Sequence, residues 1–148
     1  MKKLQKITVL AVMIVSLVFL NLHAGEQKVV DKSFKACDLV KIKVVSGDCI
    51  VKKGKSSGID VHLTYTYPED KYTPIMEVEG DTLILKEEFA KNKNIKGKSS
   101  WTVTVPGKTD IEGKAASGHF TLSGLKSDVD VKVASGDITI EDADGNIT

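Results

Sequence analysis

Residues able to do acid–base or nucleophilic chemistry recur in one short motif. Its three copies are Ser46-Gly47-Asp48, Ser117-Gly118-His119 and Ser135-Gly136-Asp137. Neighbouring strands of a sheet lie about 4.8 Å apart, so His119 could lie beside Asp137 if the copies stack. Together with Ser117 they supply the residue types of a hydrolase triad. A turn that bonds its own backbone selects the same types. We favour the turn, because no motif supplies an oxyanion site or a pocket.

Two cysteines and one acidic segment are the other candidates for chemistry. Cys49 falls on an inward-facing position of the motif, where a small buried thiol needs no special role. A disulfide with Cys37 is the alternative, and it requires Cα atoms within about 7 Å. The sequence DADGN at residues 142–146 resembles part of a calcium loop but lacks the glutamate of an EF-hand, so we predict a turn. No zinc spacing, P-loop or dinucleotide fingerprint occurs, and we expect no metal or cofactor.

The elements that would position these residues are strands. Residues 59–67 alternate apolar and polar side chains, which predicts a strand with Ile59, Val61, Leu63, Tyr65 and Tyr67 inward and His62 in solvent. Residues 76–85 predict a hairpin, with Gly80-Asp81 as a two-residue type II′ turn. Residues 101–105 predict a further strand. The lysine-rich residues 87–100 have no period, and we expect an exposed loop rather than a basic binding loop.

An internal repeat organises the second half of the chain. Residues 116–122 match residues 134–140 at an offset of 18, and residues 45–51 form an earlier copy. A self-similar unit of this length with two short strands is typical of a solenoid. Stacking would bury Phe120, Leu122, Ile138 and Ile140 and leave Thr121 and Thr139 outward. The chain stops inside a repeat, at residues 145–148. We expect a fragment of a longer array, with an open last rung as the alternative.

The N-terminal segment predicts export. Three lysines precede an apolar run at residues 7–20, and Ala24 offers a small residue for cleavage. The run is short for a membrane span of about 20 residues, so we expect a cleaved signal at residues 1–24 rather than an uncleaved anchor.

Charge argues against a nucleic-acid partner. All 21 basic residues are lysine. The guanidinium fork that reads phosphate and guanine is therefore absent. The formal charge is +3 over residues 25–108 and −5 over residues 109–148. The segment beyond the signal thus carries a net charge of −2, without the basic excess that nucleic-acid binding requires.

The strand at residues 101–105, then Pro106, then the Ser-Gly repeats resemble the bacterial "putative adhesin" domains of unknown function. The resemblance covers roughly residues 39–148. It implies an exported β-solenoid on an envelope or surface protein, and it supplies no catalytic residues.

We therefore predict an all-β protein in which a β-rich part, residues 25–108, precedes a parallel β-solenoid (β-helix-like), residues 109–148. We expect a non-catalytic envelope or surface module in the periplasm, in the envelope or outside the cell. Its partner would be a surface or envelope polymer or protein, with no nucleic acid bound and no integral membrane segment after signal cleavage. A carbohydrate-active β-helix enzyme or glycan-binding domain is the alternative. It would need paired carboxylates and exposed aromatic rings, whereas Tyr65, Tyr67 and Trp101 are on faces predicted to be buried.

Overall fold

A computed structural model describes residues 26–91 and 94–148, and within these residues the protein is built from strands, without a helix. The prediction of an all-β protein is confirmed. The eight strands are β1 (Lys28–Phe34), β2 (Leu39–Lys53), β3 (Ile59–Tyr65), β4 (Tyr72–Glu79), β5 (Thr82–Phe89), β6 (Ser99–Val105), β7 (Asp110–Ser123) and β8 (Val129–Glu141). The predicted signal at residues 1–24 lies outside the described residues. No helix within them is long and apolar enough to cross a membrane.

Strand β2 is the centre of one eight-stranded sheet. On one side β2 pairs with β7 in parallel along both halves, and β7 pairs in parallel with β8. On its other side, the first half of β2 pairs with β5, while the second half pairs with β6. The sheet therefore divides into two arms, β5-β4 and β6-β3-β1. Their buried side chains join in a single core, so the sheet is curled.

The predicted parallel solenoid is wrong for the sheet as a whole, which is mixed. Strand β1 pairs antiparallel with β3, β3 with β6, and β4 with β5. In the predicted β4–β5 hairpin a short connection is the physical reason, because a two-residue turn can join only antiparallel strands. Gly80 has φ 59° in its turn, the left-handed value that a type II′ turn requires at its first central residue.

The parallel part of the sheet follows the sequence repeat. Ser117 pairs with Ser135, and Ser46 pairs with Ser117, as the 18-residue alignment and the earlier copy predict. Phe120 is fully buried, as predicted, but Ile138 is 42% exposed. Ile138 lies opposite Phe120 on the same face of the sheet, but its predicted burial is wrong because no described residue forms a strand against the outer edge of β8 at this position.

The inner face carries the predicted alternation into the arm β6-β3-β1. All five apolar positions of residues 59–67 are buried, while His62 is exposed and pairs with Asp31 across β1 and β3, with 2.5 Å between Nδ1 and Oδ1. The predicted loop at residues 87–100 is too long at both ends. Strand β5 continues to Phe89, and β6 already begins at Ser99. Glu87 and Ser99 are consequently buried rather than exposed.

Candidate functional site

Three stacked glycines shape the bend shared by β2, β7 and β8. Gly47, Gly118 and Gly136 have φ values of 139°, 128° and 135°, which L-residues rarely adopt. A Cβ on Gly118 would lie 1.9 Å from the carbonyl oxygen of Gly47, and one on Gly136 would lie 1.8 Å from that of Gly118. Each backbone thus packs directly on the carbonyl of the next strand. This contact explains why the motif has glycine at its second position.

The bend presents the third residue of each motif in a row. Asp48 is in register with His119, and His119 with Asp137, as predicted. The His119 Nδ1 lies 3.5 Å from the Asp137 Oδ2, and both side chains are more than half exposed. Ser117 makes no hydrogen bond to His119, so the nucleophile–base contact of a triad is not formed. The row is an exposed set of polar groups that remain open to a partner.

The acidic segment at residues 142–146 forms a bend that packs on the β7–β8 turn. The Asp144 N–H donates to the Leu125 carbonyl at 2.8 Å, and Asp142 has φ 50° where the preceding repeat has Gly124 at φ 69°. Within the described residues, no group of three or more His, Cys, Asp or Glu side chains is placed to hold a metal ion.

Sequence analysis missed a buried carboxylate, Glu87. Its Oε1 accepts hydrogen bonds from the Tyr72 hydroxyl and the Trp101 indole N–H, both at 3.0 Å. Its Oε2 accepts the backbone N–H of Val45 at 2.8 Å. Leu83, Leu85 and Glu87 alternate along β5, so extending the predicted strand by two residues would have placed Glu87 inward.

Glu87 lies where the two arms separate. β2 pairs with β5 as far as Lys43 and with β6 from Asp48 onward, so residues between them have no strand partner on that side. Side chains replace the missing ladder. Glu87 accepts from Val45, and the Ser46 carbonyl accepts from the Ser99 hydroxyl at 2.9 Å and the Tyr67 hydroxyl at 3.5 Å. These bonds satisfy backbone groups that would otherwise be buried without partners.

The surroundings of Glu87 hold nearby acids in their protonated forms. Burial raises the pKa of the Tyr72 phenol, and the negative charge of Glu87 raises it further. Burial likewise raises the pKa of the Cys49 thiol, with the Glu87 charge as the second cause. Because thiolate is the reactive form, Cys49 is chemically inert at neutral pH.

The cysteines are both buried and both free, so the disulfide between Cys37 and Cys49 that was considered as the alternative is not formed. Cys37 precedes β2, whereas Cys49 lies in its second half, beyond the bend at Gly47. The extended residues 39–44 alone span about 16 Å at roughly 3.3 Å per residue, which is unfavourable for a bond needing Cα atoms within about 7 Å.

The aromatic side chains form an interior cluster. Tyr72 packs against Tyr65 and Tyr67 at ring-centroid distances of 4.8 Å and against Phe89 at 5.2 Å. All three tyrosines and Trp101 are buried, as predicted for Tyr65, Tyr67 and Trp101. None of these four rings offers an open face on which a sugar could stack.

Comparison with known proteins identifies the fold. No family model and no curated protein matches the chain. A "putative cell adhesion protein" from Clostridium sporogenes has a similar structure, with a TM-score of 0.50 and 13% identity, over 82% of this chain and 98% of that one. A "putative adhesin" from Parabacteroides merdae has a TM-score of 0.48 and 14% identity, over 80% and 54% of the two chains. A "putative lipid binding protein" from Parabacteroides distasonis has a TM-score of 0.42 and 17% identity, over 82% and 60%.

Proposed function

We propose that this chain is a non-catalytic binding module of an exported protein that acts at the cell envelope or cell surface. The observation that carries the proposal is the in-register outer face of β2, β7 and β8. It presents straight rows of polar side chains, including Asp48, His119 and Asp137 at the bend. An exposed face with repeated side chains suits an extended partner that contacts several strands at once.

The similarity of fold supports the same proposed function. The Clostridium sporogenes protein is described as a "putative cell adhesion protein", and this chain covers 98% of it. The predicted signal at residues 1–24 agrees with a surface or envelope location. An envelope or surface polymer or protein is the partner class we infer, and the absence of arginine disfavours nucleic acid.

A carbohydrate-active enzyme is the second candidate, and the interior of the protein disfavours it. Glycoside hydrolysis needs two carboxyl groups flanking an accessible bond. Glu87 is enclosed by three hydrogen-bond donors, and the aromatic rings that could stack on sugar are buried. The exposed His119 and Asp137 remain the residues on which an activity would depend.

The two functions are distinguished by glycan-array binding measured together with product release from the same glycans. We expect retention without cleavage. His119→Asp, which installs the residue of the sister motifs, should leave the protein folded while it removes the imidazole that a hydrolase would need. Turnover that is lost in this variant would overturn the proposal in favour of the enzyme.

Export is tested separately, by mass spectrometry of the native protein. We expect an N-terminus near Gly25. An intact Met1 on soluble protein would contradict it.

A further inference from the structure

Four lysines lie side by side on the outer face of the sheet. Lys86 on β5 is in register with Lys43 on β2, Lys43 with Lys114 on β7, and Lys114 with Lys132 on β8. Their strand neighbours Ile42, Val44 and Ala115 are buried, so the lysines point outward. We call these four residues the lysine row. At about 4.8 Å per strand, the row spans roughly 14 Å.

The centre of the lysine row is uncompensated. Lys86 pairs with Glu88 at 3.0 Å, and Lys132 pairs with Asp130 at 3.5 Å. Lys43 and Lys114 have no ion pair with any described residue. Like charges directly opposite each other on adjacent strands are destabilising. The fold therefore keeps two neighbouring positive charges in a position where an anion would relieve their repulsion.

The two borders of the lysine row differ. Two residues earlier lie Ile84 on β5, Lys41 on β2, Glu112 on β7 and Asp130 on β8, of which Lys41 and Glu112 pair at 3.9 Å. Two residues later lie Glu88 on β5, which pairs with Lys86, and Val45, Ala116 and Ala134 on the other three strands. These last three residues are exposed, and we call them the apolar shelf. Along β7 and β8 an anionic partner is thus repelled by Glu112 and Asp130 on one border and free to extend over Ala116 and Ala134 on the other.

We propose that the lysine row and the apolar shelf bind a linear acidic polysaccharide with a carboxylate on each sugar ring, lying across the strands. The proposal rests on the proposed function and names its ligand class. The spacing of the lysines is close to the length that one sugar ring adds to an extended chain, so those carboxylates that face the sheet lie within reach of the long, flexible lysine side chains. The carbon–hydrogen faces of the rings contact the apolar shelf. The lysine ammonium is a compact positive charge that can contact a single carboxylate. The described residues of this face include no Phe, Tyr or Trp ring on which a nucleic-acid base could stack.

The test compares polygalacturonate with its methyl ester, which has the same backbone without the charge, by titration calorimetry at low salt. We expect wild-type protein to bind the charged polymer and not the ester. Lys43→Gln/Lys114→Gln should bind about 30-fold more weakly, at about 1 kcal/mol for each lysine near an anionic surface. The matched control Lys55→Gln/Lys126→Gln removes the same charge from exposed turns outside the row and should bind within about twofold of wild type.

Other outcomes of the binding test would each contradict one part of the proposal. Equal losses in the two double variants would show general charge attraction rather than the lysine row. Tighter binding of polyphosphate than of polygalacturonate would replace the polysaccharide by a phosphate polymer. Binding of the ester alone, or of neither polymer while the glycan array is positive, would reject the acidic ligand and leave the proposed function standing. Urea unfolding checks that a loss of binding is not caused by misfolding. Lys43→Gln/Lys114→Gln removes the repulsion between two lysines, so this variant should unfold at no lower urea concentration than wild type.

Discussion

Replacement of Glu87 by alanine tests whether side chains hold the two arms of the sheet together. The change leaves three donors without their acceptor: the Val45 N–H, the Tyr72 hydroxyl and the Trp101 indole. An unsatisfied buried donor costs about 1–3 kcal/mol, and removing the buried charge offsets part of the sum. We expect a loss of about 3–5 kcal/mol, a large share of the roughly 5–15 kcal/mol by which domains are stable.

The measurement is urea unfolding, where a lower midpoint at unchanged slope reports lost stability. Glu88→Ala is the matched control, one residue along the same strand. Glu88 is exposed and pairs only with Lys86, so its loss should cost within about 1 kcal/mol. Tyr72→Phe removes a donor and leaves Glu87 two others, so we expect it to cost less than Glu87→Ala. A Glu87→Ala loss no larger than that of Glu88→Ala would refute the structural role of the carboxylate.

Three further predictions test the stack and the core. Gly118→Ala should unfold most of the protein, because its Cβ would lie 1.9 Å from the Gly47 carbonyl oxygen. Gly80 has open space around it, so Gly80→Ala should lower the free energy of unfolding by only about 1 kcal/mol, as measured by thermal unfolding. Phe120→Ala should cost about 3–5 kcal/mol in urea and Ile138→Ala less than 1.5, since Ile138 is 42% exposed; equal costs would contradict the open edge of β8. The raised pKa of Cys49 contributes stability that is complete below its unfolded pKa of about 9 and is lost as pH rises above it. Cys49→Ala should flatten that alkaline decline in a pH series of urea midpoints, and an unchanged slope would contradict it.

The register of the parallel strands was predictable because the sequence repeat determines which residues of these strands are paired. An offset of 18 residues aligned Ser117 with Ser135, and the earlier copy aligned Ser46 with Ser117. Alternation likewise identified the buried face of residues 59–67. In each case the period of two determines which side chains face inward. A register shifted by one residue would turn the same apolar side chains toward solvent.

The position of Glu87 was not predictable in the same way. A charged residue next to Glu88 and a lysine-rich segment is typical of an exposed loop, and only tertiary packing decides otherwise. The donors that make its burial favourable come from β2, β4 and β6, up to 42 residues away in sequence. The alternation along β5 gives the direction of the Glu87 side chain, but nothing local shows that distant donors make a buried carboxylate favourable there. The exposure of Ile138 was missed for a related reason, because burial depends on the neighbouring strand rather than on the residue's own alternation.

The repeat and the mixed sheet are compatible because a repeat dictates only how equivalent strands stack. It specifies β7 on β2 and β8 on β7, although the first pair is separated by 71 residues and the second by 18. It does not specify what covers the other side of β2, and the intervening strands take that place. Since β5 and β6 each pair with half of β2, they cannot both continue past the bend. The backbone groups left open there must then be bonded by side chains, and Glu87, Ser99 and Tyr67 do so. The buried carboxylate is therefore a consequence of joining a parallel stack to two antiparallel arms.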